Sequence, residues 1–156
     1  MGLSPRIETI EAGTLTNGIK GKTNGAAIAA GYVGEKLTAS LSNVSLVTTG
    51  ISVNAGSISL TAGTWLVYGK LMVSPPGATL TYTDVSISTS SVTQDITTLV
   101  RDLTTTLSLN RYLSPSPKYL SLSATTTVYL VVEQGFTGAA GGTNAANSQF
   151  YAVRIA

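Results

Sequence analysis

Seven acidic side chains, Glu8, Glu11, Glu35, Asp84, Asp95, Asp102 and Glu133, stand in a sequence that contains neither histidine nor cysteine. Without imidazole or thiol the chain lacks the commonest general base, the usual zinc ligands and the thiol nucleophile. A Ser-His-Asp triad cannot form. Carboxylate chemistry remains, and a glycoside hydrolase needs two acids flanking the scissile bond. Asp84 and Glu133 fall in strand-like segments and could face one another. The plainer reading makes them solvent-facing or ion-paired with Arg101, Arg111 or Arg154, because two acids without a dedicated spacing are no motif. No Asp-x-Asp-x-Asp run offers a calcium loop. The stretch from Gly138 to Gly142 lacks the Lys-Ser/Thr and the helix of a phosphate loop. The expectation is a protein that is not an enzyme, with no catalytic residue, metal or cofactor.

Aromatic side chains could bind ligands instead. Trp65, Tyr68, Tyr129 and Tyr151 lie within strand patterns, where core or interface packing is the ordinary use. Tyr112, Tyr119 and Phe136 lie near loops and are the candidates for receptor contact. The basic residues number nine, giving a net charge of +2. They are scattered, with nothing denser than Lys20-Gly-Lys22, which excludes an electrostatic footprint for nucleic acid. Residues 37–69 carry no charge at all. Yet Ser, Thr, Asn and Gly interrupt them too often for a membrane helix, which needs about 20 mostly apolar residues. The first residues, MGLSPRIETIEAG, have neither the pattern of a signal peptide nor that of a myristoylation site.

These residues need a scaffold, and composition says which kind. Ser and Thr count 18 and 24, while the helix-surface formers Glu, Lys and Arg are scarce. Together with Val, Ile and Tyr this favours an all-β protein. Three zones follow. Residues 1–23 hold Arg6, Glu8, Glu11, Lys20 and Lys22 among glycines and read as an extended arm, ordered by contact with another molecule. Residues 24–36, NGAAIAAGYVGEK, form a neck of small side chains. Residues 37–156 read as one β domain. Strands are expected at 57–61, 64–73, 80–88, 104–113, 119–123, 126–134 and 149–156, with turns at Ala62-Gly63, Pro75-Pro76-Gly77 and Ser114–Pro117. Residues 135–147 read as a long Gly/Ala/Asn loop, and Val92 to Leu103 is the sole helix candidate, weakened by its threonines. About eight antiparallel strands at this spacing suggest a sandwich or jelly roll.

Strand 126–134 and the closing strand are apolar on both faces, whereas a lone sandwich needs one apolar face per strand. The surplus face suits a homotrimer, with Tyr129, Val131, Tyr151 and Val153 at the contact; the alternative is that short loops or the N-terminal arm cover it.

Gly31-Tyr-Val-Gly-Glu-Lys-Leu37, Ser45-Leu-Val-Thr-Thr-Gly50, Ile58-Ser-Leu-Thr-Ala-Gly-Thr-Trp65 and the closing Tyr151-Ala-Val-Arg154 occur in that order. This resembles small bacteriophage virion proteins that carry a trimeric jelly roll of the tumour-necrosis-factor type. The likeness covers residues 24–156 in outline, and about the first forty of these carry its pattern. It implies a homotrimeric jelly-roll β-sandwich on the surface of a phage particle. The function it implies is a structural capsid decoration or head-fibre protein, with capsid or tail proteins as partners. Arg6, Ile7, Ile10 and Leu15 of the arm would anchor it, and Ala29, Gly31 and Tyr32 would meet their counterparts at the trimer neck. The alternative is a tail-fibre tip that recognises host-surface glycans. Neither involves nucleic acid or membrane insertion.

Overall fold

Alternating apolar and polar residues become strands where one face can be buried. The computed structural model describes residues 26–74, 79–103, 110–139 and 141–156, and among these there is no helix. Ten strands succeed one another: β1 (Lys36–Thr38), β2 (Ser45–Leu46), β3 (Val53–Leu60), β4 (Gly63–Ser74), β5 (Thr79–Ser88), β6 (Val100–Asp102), β7 (Arg111–Leu113), β8 (Lys118–Leu122), β9 (Thr126–Thr137) and β10 (Gly141–Arg154). All their pairings are antiparallel. In the first sheet β10 and β4 are central. β1 and β2 pair with the free side of β10, and β7 and β8 pair with the free side of β4. The second sheet runs β3-β9-β5-β6.

The sheets meet through their period-two apolar faces. Trp65, Val67, Leu71 and Val73 of β4 join Phe150 and Ala152 of β10 in one core with Ile58 and Leu60 of β3, Val128, Leu130 and Val132 of β9, and Val85 and Ile87 of β5. Trp65 is fully buried, and its indole N–H donates to the Thr61 carbonyl at 2.9 Å, so its one polar atom is satisfied. Truncating such a side chain to alanine costs about 3–5 kcal/mol.

Three expectations need correction. The described residues hold ten strands rather than about eight, because short edge strands such as β1, β2 and β6 are too brief to show periodicity. Residues 135–147 are mostly strand, not a long loop: β9 continues to Thr137 and β10 starts at Gly141. Glycine serves close packing there, since a Cβ on Gly135 would strike the Tyr82 ring. The surplus residues between Asn144 and Gln149 leave the ladder as a bulge. It is held by Ser148, whose hydroxyl donates to Asn144 O at 2.6 Å and accepts from Met72 N at 2.8 Å. Finally, residues 92–99 form turns rather than a helix. Their side chains bond elsewhere: the buried Thr98 hydroxyl accepts from Ile87 N (2.9 Å) and donates to Ile87 O (3.0 Å). The expected strand at 104–113 is seen only as β7, as 104–109 lie outside the described residues.

Candidate functional site

The two acids considered for hydrolysis are indeed register partners, Asp84 on β5 opposite Glu133 on β9. Each is already engaged. Arg101, opposite Asp84 on β6, donates from Nε to Oδ1 (2.7 Å) and from Nη2 to Oδ2 (2.5 Å). Tyr82 and Ser52 donate to the two oxygens of Glu133 at 2.6 and 2.5 Å. All four carboxylate oxygens therefore accept hydrogen bonds, and the Arg101 guanidinium also lies 4.7 Å from the Tyr82 ring centre. The hydrogen bond to Glu133, then burial, pushes the Tyr82 phenol up to about 12. This is the geometry of a structural ion-pair network, which ties the segment before β3 to β9, β5 and β6.

A second feature is the outward face of the first sheet. Register places its side chains in rows. Lys36, Val153, Leu66 and Tyr119 form one row, and Thr38, Tyr151 and Tyr68 the next. Gln149 lies beside Lys70, and Asn144, Met72 and Tyr112 complete the set. The Tyr68 and Tyr151 rings stack with centres 5.2 Å apart. Lys36 lies over Tyr151 at 4.6 Å and Lys70 over Tyr112 at 4.4 Å. Tyr112 and Tyr119 are 53% and 63% exposed. Among the described residues, aromatic and aliphatic groups thus collect on one sheet face and stay partly exposed there, the kind of patch that marks interaction sites.

The neck is fastened to the far end of the same sheet. Gly34 N donates to Arg154 O (2.8 Å) and Arg154 N to Glu35 O (2.9 Å). The Arg154 guanidinium spreads between Glu35 Oε2 (3.0 Å), the Ala62 carbonyl (2.8 Å) and Thr61 Oγ1 (2.6 Å), and stacks 4.3 Å from the Trp65 ring. Gly31 N donates to the same Glu35 oxygen at 2.8 Å. That bond, aided by Arg154, outweighs burial and holds the Glu35 carboxyl below its usual range. Gly31 sits at φ +85°, a conformation that favours glycine. Ala29 and Tyr32 are exposed, and Tyr32 and Val33 line an apolar hollow with Ile28 and Ala29.

The predicted interface residues separate onto opposite faces. Tyr151 and Val153 point outward from the first sheet, together with Tyr112 and Tyr119, which were assigned to receptor contact. Tyr129 and Val131 lie on the outer side of the second sheet. Val131 is fully buried within the chain. Its neighbours Asn54 and Ser86 bond to Ser91, Val92, Gln94 and Asp95, so the β5–β6 loop lies across it. Phe136, offered for receptor contact, is only 7% exposed, since β9 continues past the expected loop. Arg6, Ile7, Ile10 and Leu15 lie outside the described residues. Sequence reasoning gave Leu66 no role and Tyr68 only core or interface packing; both are half-buried on this outward face, and their alternation with the buried Trp65 and Val67 was the available signal. A scan against protein-family models finds no match, and a search of curated proteins finds none either.

Proposed function

We propose that the chain is a structural bacteriophage virion protein. In this reading it is a homotrimeric capsid decoration or head-fibre protein, held to the particle by its N-terminal arm and displaying a jelly-roll head. The observation that carries the reading is the aromatic face of the first sheet, where Tyr112 and Tyr119 are exposed and Leu66, Tyr68, Tyr151 and Val153 are half-buried. Packing three such faces together removes from water what one chain leaves exposed, a burial that stabilises by about 25 cal/mol per Å². The strand order fits a jelly-roll winding, since the chain alternates between sheets from β3 to β4 to β5 and again from β8 to β9 to β10. The fastened neck fits an arm that must leave the head in a fixed direction. The test is to label the protein on purified particles. Many copies on the head are expected, and labelling confined to the tail, or absent, overturns the reading.

One observation favours the alternative receptor-binding role. The β5–β6 loop is tied down by side-chain bonds along its length, yet it displays Val92 and Ile96, the latter 86% exposed. A preorganised apolar tip suits contact with a partner. Labelling at the tail decides for it.

A further inference from the structure

Lys36 and Lys70 are the side-chain charges on the aromatic face, and among the described residues no carboxylate side chain stands there with them. The described acids are committed elsewhere: Glu35 to Arg154, Asp84 to Arg101, Asp95 to Lys118, Asp102 to Arg111, and Glu133 to Tyr82 and Ser52. Burying an ammonium without a counter-charge is costly, and contact with a tyrosine ring offsets only part of that. Beside Lys70 a groove of about 460 Å³ opens between β10 and the segment 114–117, lined by Tyr68, Ser114, Ser116, Gln149 and Tyr151. Its polar equipment is an ammonium, hydroxyls and one carboxamide. All of these can donate hydrogen bonds, and none brings negative charge. Charge-assisted bonds from such donors suit an oxyanion.

We propose that this groove is an oxyanion site, in which Lys70, Gln149 and the Ser114 and Ser116 hydroxyls hold a phosphate- or sulfate-type anion, and that a neighbouring copy closes it in the trimer. Only the closure rests on the trimer reading. The anion supplies a counter-charge that no described carboxylate brings to this face, so assembly and anion uptake support each other.

Sedimentation of the full chain, with and without inorganic phosphate at constant ionic strength, tests this alongside calorimetric titration with phosphate. Phosphate should lower the chain concentration at half-assembly about tenfold, the size of a lost charge-assisted bond. Lys70→Gln should abolish the response and Lys70→Arg should keep it. A trimer indifferent to phosphate, or a response retained in Lys70→Gln, overturns the site while leaving the trimer standing. A single chain that binds phosphate through Lys70 supports the site and overturns its closure. A single chain that binds none overturns both.

Discussion

Arg154 Nε donates to Glu35 Oε2 at 3.0 Å across 119 positions of sequence, and both side chains are almost wholly buried. This contact joins the last strand to the neck before the first, and the same guanidinium reaches the β3–β4 turn at Ala62 and Thr61. It explains why a glutamate in the neck and an arginine near the end of the chain occur together.

Removing Arg154 leaves a buried carboxylate with one backbone donor. Arg154→Ala should cost about 3 kcal/mol of stability, measured by denaturant unfolding. Because the folded Glu35 carboxyl titrates below its ordinary value of 4.5, its contribution is complete above the ordinary range and fades as pH falls through the depressed value. Glu35→Gln should therefore flatten the acid limb of the stability profile. An unchanged acid limb would show that the pair contributes no net stability.

Val92 has φ +47°, a left-handed conformation that a β-branched residue rarely adopts. Asn54 Oδ1, which accepts from Val92 N at 2.9 Å, helps to hold it there. Asparagine tolerates this region, so Val92→Asn should stabilise the fold by about 1 kcal/mol, visible as a rise of several degrees in Tm. A fall in Tm would mean that the Val92 side chain contributes more through packing than its backbone costs.

Tyr82 should ionise late. Its phenol is pushed up to about 12 from 10.0 in the folded state, chiefly by its bond to Glu133. The raised value means that the bond stabilises fully below pH 10 and is lost as pH rises toward 12. An ultraviolet titration should show a late-titrating tyrosine that reverts toward the ordinary range in Glu133→Gln. If the two titration curves coincide, the Tyr82–Glu133 bond is not what holds the proton.

Much of this was legible in residue types. The alternation in 57–61 and 64–73 around Ala62-Gly63 gives β3, its turn and β4, and 80–88 gives β5 almost to the residue. Faces were harder. Tyr129 and Tyr151 both follow a period of two, but period alone does not say which sheet a strand joins, so residues on opposite sides of the sandwich read as one interface. Val131 looked like a spare apolar face because nothing in its own strand reveals the loop folded over it. The glycines of 135–147 suggested a loop, since intrinsic preference cannot show that a partner side chain occupies the space a Cβ would need.

In the proposed assembly the aromatic face of the first sheet joins three chains. Sedimentation of the intact protein tests it most directly, with Tyr151→Glu as the partner measurement, since this change puts a charge beside Tyr68 without touching the core. The native protein should have the mass of three chains and Tyr151→Glu that of one, with the β-sheet circular dichroism of both alike. A native protein that sediments as a single chain, or a Tyr151→Glu variant that still assembles as three, contradicts it.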